Sequence, residues 1–237
     1  MQRYFAKNYD KTIILENGDI HHIKNVMRMK TNDLIEVIYN NKLYICKINS
    51  LAPFTLNIEK VIEEDNKINL DVTIAVALVK EQKMDLILQK LTELGVNTII
   101  PVNMERSIVK LDNTRFKKKK ERWMSICKEA SEQSKRTSIP AIEDIVSLKE
   151  LVKREADIKL VASTKEKDKM LNLYLQGIDK CAKIIMVVGP EGGLSEKEES
   201  YLLDNGFKGV SFGNLIFRVE TACIYAASIF NYFGSMR

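Results

Sequence analysis

The segment from Ile184 to Ser195 limits what this chain can fold into more than any other. Ile184-Ile185-Met186-Val187-Val188 is an unbroken apolar run, and it stops at Gly189-Pro190-Glu191-Gly192-Gly193 before Leu194 and Ser195. A run apolar at every position suits a strand buried on both faces, as in a parallel sheet covered by helices on each side. Ser195 with Glu198 three residues on is a capping box, so a helix starts there. The glycines remove side chains from the strand's carboxyl end, which is where open α/β sheets receive ligands. The arrangement recurs soon after: strand-like Gly209-Val210-Ser211-Phe212, then Gly213-Asn214-Leu215-Ile216-Phe217-Arg218-Val219-Glu220-Thr221-Ala222. Two neighbouring ligand loops, the second bearing Arg and Glu, predict a cofactor pocket beside reactive chemistry.

The remainder from residue 70 onward keeps the same rhythm. Strands are expected over Val72–Leu78, Thr98–Val102, Lys159–Ala162, Lys183–Val188 and Val210–Phe212. Helices are expected over Gln82–Leu94, Lys117–Lys135, Leu148–Glu155, Lys169–Leu175, Glu196–Asn205 and Ala222–Phe233. Alternating strands and helices imply an α/β domain built on a parallel sheet. Residues 1–68 read differently, as short strands (Thr12–Leu15, Asp33–Tyr39, Leu43–Ile48, Thr55–Val61) with one helix, His21–Met29, capped by Asp19. Asn40-Asn41 marks a tight hairpin turn. That is a smaller, barrel-like β module, joined through polar Glu63-Glu64-Asp65-Asn66-Lys67 to a second domain spanning 70–237.

Composition narrows the function. At 237 residues with 45% apolar content, two modest cores are affordable. No apolar run approaches the roughly 20 residues of a membrane span, and the start lacks a signal-peptide pattern, so a cytoplasmic protein without a membrane partner is expected. Cys46, Cys127, Cys181 and Cys223 are scattered in apolar surroundings and are expected buried and reduced; with only His21 and His22 beside them, no metal site is expected. Net charge is +5, and its location matters: residues 105–136 hold eleven Lys or Arg against five acids, while the rest of the chain is close to neutral. Such a stripe suits a polyanion, although a solvated Lys-rich helix face carries the same signature.

Neither familiar nucleotide-binding plan fits. The Gly-x-x-x-x-Gly-Lys-Ser/Thr pattern is missing, and the first strand of the α/β region runs into Lys80-Glu81-Gln82-Lys83 without a glycine. The glycine loops come after the last strands. In that order, Gly189-Pro190-Glu191-Gly192-Gly193 followed by Phe212 to Ala222 resembles the signature pair of the ribosomal small-subunit methyltransferase E family, of the SPOUT class of S-adenosylmethionine-dependent methyltransferases. Further motifs extend the resemblance along nearly the whole chain: Arg3-Tyr4-Phe5, His21-His22, Val26-Met27-Arg28, Lys80, Lys83, Lys90, Glu93-Leu94-Gly95-Val96, Pro101, Glu105-Arg106-Ser107 and Glu132-Gln133-Ser134-Lys135-Arg136.

The resemblance implies a SPOUT-type parallel-sheet domain whose last segments thread a trefoil knot, preceded by a PUA-like β-barrel. It implies a homodimer that methylates N3 of one uridine in 16S rRNA, in the decoding region of the small ribosomal subunit, with S-adenosylmethionine as cofactor. It places the cofactor against Ala162, Ser163, Gly189, Glu191, Gly192, Gly193, Phe212, Gly213, Leu215, Phe217 and Thr221. Arg218 is the expected cation beside the developing uridinate, and Glu220 either accepts the uracil proton or holds Arg218. Arg3, Arg28, Lys80, Lys83, Arg106, Glu132 and Arg136 are the expected RNA contacts, with Glu132 and Arg136, one helical turn apart, closing the pocket. Family members usually carry Arg or Lys where this chain has Leu215, so one contact to phosphate or cofactor carboxylate is expected to come from elsewhere.

Plainer readings stand beside these. Arg218 with Glu220 would also anchor the last helix, and Glu132 with Arg136 is a common helix-surface pair. Trp123, Tyr4 and Phe5 fit core packing better than base stacking, and His21-His22 fit RNA contact or barrel capping better than catalysis. Two other functions remain open at this level: a non-catalytic RNA-binding or ribosome-assembly protein, and a SPOUT ribose 2′-O-methyltransferase.

Overall fold

The computed structural model describes residues 1–10, 12–63, 68–111 and 113–236, and the chain divides into two compact units. The first comprises Met1–Lys67 together with Lys128–Ile139; the second comprises Ile68–Cys127 and Pro140–Arg237. The division read from the sequence gave everything after residue 70 to one body, whereas Lys128–Ile139 packs with the N-terminal residues. Of the expected linker, Glu64 to Lys67 lie outside the described residues.

In the first unit, β1 (Arg3–Phe5) lies parallel to β4 (Leu34–Tyr39), which continues into an antiparallel meander with β5 (Lys42–Leu51) and β6 (Phe54–Ile62). A separate hairpin joins β2 (Asn8–Asp10) to β3 (Thr12–Ile14). Asn40 and Asn41 take φ of 48° and 60°, the left-handed pair a two-residue hairpin requires. Tyr4, Ile13, Ile23, Ile35, Val37, Cys46, Ile48 and Leu56 fill one core. Helix α1 (Asn17–His21) passes into a wider π-helical turn, His22–Val26. Asp19 therefore caps nothing. It sits inside the helix, buried, and both its carboxylate oxygens accept hydrogen bonds from Lys128 at 2.8–2.9 Å.

The second unit is a parallel sheet in the order β10-β8-β7-β12-β11-β13, with β9 also pairing β8. Its strands are β7 (Leu70–Ala77), β8 (Thr98–Asn103), β9 (Ala141–Ile142), β10 (Val146–Ser147), β11 (Ile158–Ala162), β12 (Ala182–Val188) and β13 (Lys208–Val210). Strand alternation sends Val72, Ile74 and Val76 of β7, with Ile184, Met186 and Val188 of β12, to one face. Ala75, Ala77, Ile185 and Val187 point to the other. The first face is covered by α2 (Glu81–Glu93), α3 (Asn113–Gln133) and α6 (Val219–Ser235), through residues such as Leu91, Trp123 and Phe230. The second packs against α4 (Leu148–Leu151) and α5 (Glu196–Asp204), through Leu151 and Leu202. A short 3-10 turn, Leu171–Tyr174, stands where a helix over 169–175 was expected.

Trp123 is 3% exposed and meets Phe116 edge-on, a core residue as its spacing suggested. Cys181 breaks the expectation of four buried thiols: it is exposed, at φ 64°, in the turn entering β12. Apolar neighbours in sequence do not bury a residue that the chain places at a bend. α3 begins four residues earlier than expected and stops at Gln133. There Lys135 takes φ 61°, while Lys135 N–H and Arg136 N–H donate to the Glu132 and Ser131 carbonyls. This is a Schellman ending with lysine where glycine is usual.

Candidate active site

Because the strands are parallel, the carboxyl ends of neighbouring β11, β12 and β13 open on the same edge of the sheet. Their following loops enclose a pocket of about 480 Å3, within the size range of small-molecule and cofactor sites. Ala162 and Ser163 come from the first loop, Gly189, Glu191, Gly192 and Gly193 from the second, and Phe212, Gly213, Leu215, Phe217 and Arg218 from the third. Every residue assigned to the cofactor lines this pocket except Thr221, which is exposed on α6. The glycines are required locally. A Cβ on Gly189 would come within 3.2 Å of Leu194, and Gly193 takes φ +69°. Ser195 then caps α5 through the expected box with Glu198.

Two basic residues expected at RNA fasten the second loop. Arg106 Nη1 donates to the carbonyl of Gly192 at 2.9 Å, with Leu194 O at 3.4 Å, and Arg106 lines the pocket. Lys83, from the first turn of α2, donates to Glu191 Oε1 at 2.9 Å and stands 3.6 Å from Glu220 Oε2. The Glu191 hydrogen bond holds the Lys83 ammonium above its ordinary value. Partial burial would raise Glu191, but the Lys83 hydrogen bond, with Lys83 and Lys80 charges, holds its carboxyl below the usual range. Lys80 itself is exposed just before α2.

Arg218 is the exposed N-cap residue of α6 and faces the pocket. Glu220, two residues on, is not among the lining residues. Its Oε2 is buried and, among the described residues, accepts no hydrogen bond and has Lys83 as its ion-pair partner. Phe212, Phe217 and Tyr225 pack with ring centroids 5.2–6.3 Å apart and stiffen the third loop. Leu215 and Ile216 at its tip are 75% and 84% exposed. Cations nonetheless reach the pocket through Lys165 and Lys167, which the sequence reading passed over along with Thr164, Glu196 and Glu199. Ser163 Oγ donates to Glu199, whose other oxygen lies 3.3 Å from Lys165. Residues 164–167 follow the carboxyl end of β11, the position where open α/β sheets receive ligands, and that is the signal available for them. Glu199 carried no such signal, since acids in a helix's first turn are expected on dipole grounds alone.

The remaining expected RNA contacts lie in the first unit. Arg3 is 2% exposed: Nε pairs with Glu36 at 2.7 Å, and Nη1 donates to the carbonyls of Lys135 and Arg136. A guanidinium so enclosed clamps the exit of α3. Glu132 accepts the Phe5 N–H at 3.4 Å and lies 3.9 Å from Lys128. Burial pushes its carboxyl up to about 7, against the pull of Lys128 and helped by the charge of Asp19. Arg136 lies beyond the end of α3, with Nε donating to Ser138 O at 3.1 Å, so the two are not a turn apart on one helix. Arg28 is exposed at φ 51°. The basic stripe is partly neutralised: Lys119 pairs with Glu81, Lys120 with Asp144, and Arg122 with Asp85 and Glu81. Lys117 and Lys118 stay exposed.

Among the described residues no group of three or more His, Cys, Asp or Glu is placed to hold a metal ion. Nor is any described helix long and apolar enough to cross a membrane. Comparison with known proteins gives a consistent picture. The family profile described as RNA methyltransferase domain matches residues 66–231, and that described as RNA methyltransferase PUA domain matches residues 15–57. The ribosomal RNA small subunit methyltransferase E of Bacillus subtilis is 36% identical, over 98% of this chain and 96% of its own. Its namesake from Aquifex aeolicus is 32% identical over 95% and 96%. The crystal structure of a ribosomal RNA small subunit methyltransferase E from Neisseria gonorrhoeae, bound to S-adenosyl methionine, superposes with a TM-score of 0.86 at 30% identity, covering 98% of this chain and 97% of that one. With a pocket built by the last strands of a SPOUT-type parallel sheet and a PUA domain before it, this chain belongs to the ribosomal RNA small subunit methyltransferase E family.

Proposed function

We propose that the protein methylates N3 of a uridine in 16S rRNA, in the decoding region of the small ribosomal subunit, using S-adenosylmethionine. The observation that carries this reading is the convergence of the loops after β11, β12 and β13 on one pocket with Arg218 at its wall. The residues present suit the cofactor. Leu194 closes off Gly189, but open space stands where a Cβ on Gly193 or Gly213 would be, so a ligand can approach backbone N–H and C=O groups there. Phe212 and Phe217 offer flat apolar surface, and Glu191, Glu199, Lys165 and Lys167 supply polar groups of both signs. Ala162, Ser163, Gly192, Gly193, Gly213, Leu215 and Thr221 complete the assigned set.

Bound there, S-adenosylmethionine supplies a methyl group already activated on a sulfonium, so the protein's work is orientation and exclusion of water. Uracil N3 carries a proton and lies on the Watson–Crick edge, so the base must stand out of its helix when it reacts. Arg218, a permanent cation at the pocket wall, stabilises negative charge developing on the uracil as that proton is lost to solvent before N3 takes the methyl group. Arg28, Lys80 and the exposed lysines of α3 hold the RNA backbone. A homodimer with a knotted C-terminal segment, acting in the cytoplasm on rRNA or the assembled subunit, accompanies this reading.

Mass spectrometry of rRNA nucleosides from a deletion strain tests it. Loss of N3-methyluridine is expected, restored by the plasmid-borne gene. Retention of that nucleoside with loss of a 2′-O-methylated one would transfer the chemistry to ribose. Absence of any heat of binding with S-adenosylmethionine would leave an RNA-binding protein without catalysis.

A further inference from the structure

Lys83 is placed by resemblance among the RNA contacts, yet its ammonium is committed elsewhere. It projects from the first turn of α2 and stands between two carboxylates on separate elements. Glu191 lies in the glycine loop after β12, 108 positions along the chain, and Glu220 lies in the first turn of α6, two residues past Arg218. Lys83 itself does not line the pocket, and neither does Glu220. The lysine and the two carboxylates are each about three-quarters or more withdrawn from solvent at the side chain. One cation therefore serves two anions, leaving the trio net negative, and a phosphate brought to Lys83 would meet two carboxylates first. Among the described residues Glu220 has no better partner: its Oε2 is buried without a hydrogen bond, and Lys83 lies within ion-pair range.

Building on the reading of the pocket as the methyl-transfer site, we infer that Lys83 is a positioning residue. It ties the glycine loop to the start of α6 and so sets where Arg218 stands. It touches neither cofactor nor RNA. Glu220 belongs to the same tie, acting on Arg218 through the helix start and not as the group that receives the uracil proton. The arrangement resembles a rivet through three elements: α2, the loop after β12, and α6.

The experiment compares wild type with Lys83→Met, Lys83→Arg and Glu220→Gln. It uses S-adenosylmethionine calorimetry, single-turnover methylation, and the salt dependence of binding to a 16S rRNA fragment. Lys83→Met is expected to lower the single-turnover rate by about tenfold or more, since small displacements at a reacting centre are costly. Its RNA salt slope should match wild type. Lys83→Arg, which keeps a cation able to bridge both carboxylates, should recover most of the rate. A double-mutant cycle of thermal stability over Lys83 and Glu220 should show coupling without any ligand present. A salt slope reduced by about one in Lys83→Met, with normal rate and cofactor binding, is the signature of a phosphate contact and would overturn the inference. If wild type binds no S-adenosylmethionine, the proposed function falls and takes this inference with it. If wild type binds and methylates while Lys83→Met does so equally well, the inference alone falls.

Discussion

At the scale of single residues, geometry separates groups that the sequence could only list together. Arg218 lines the pocket, while Glu220, expected either to hold it or to take the uracil proton, pairs with Lys83. Arg218→Ala should reduce the single-turnover rate about a hundredfold or more while changing cofactor affinity only a few-fold. Parallel losses in both would mean that it serves chiefly to start α6. Glu132 makes a different prediction. Its carboxyl is ordinarily at 4.5 and reaches about 7 in the folded chain. Between those values the folded protein binds a proton that the unfolded chain has released, so stability falls as pH rises through the window and stays low above it. Glu132→Gln, which keeps the shape and drops the charge, should raise Tm by several degrees at pH 8 and by little at pH 5; an equal rise at both values would remove burial as the cause. Arg3 shows what composition conceals. In sequence it is one more positive charge, and in the fold it is a buried donor to Glu36 and two carbonyls.

At the scale of elements, what could be read from the sequence was whatever local chemistry decides. The glycine turn after Val188, the capping box at Ser195 and the Asn40-Asn41 hairpin each depend on residues a few positions apart, and each stands as expected. The clamps of Arg106 and Lys83 on the glycine loop span 86 and 108 positions, and no local pattern announces them. Asp19 misled because its type favours a cap while Lys128, far along the chain, draws it into a buried pair. Helix α3 shows the same limit for charge. A count gives a strong positive excess, whereas Glu81, Asp85 and Asp144 engage Lys119, Lys120 and Arg122. Removing Lys117 and Lys118 together should therefore flatten the salt dependence of RNA binding more than removing Lys119 and Lys120 together. Salt titrations of the two double variants give the comparison, and equal slopes would show that the pairs dissolve when RNA arrives.

At the scale of the whole chain, the pocket is built wholly by the second unit, from three adjacent strands. S-adenosylmethionine at a hundred times its Kd should add about 2.7 kcal/mol to the stability of the unit that holds it. Amide exchange should slow first around residues 162–167, 188–195 and 210–222, with little change over 34–62. Uniform slowing along the chain would place the two units in one cooperative transition. The first unit is also broken in sequence, since Lys128–Ile139 completes what Met1–Lys67 begins, and Arg3 closes on carbonyls at 135 and 136. During synthesis the opening module must wait, its clasp unmade, until the ribosome has released more than half of the polypeptide.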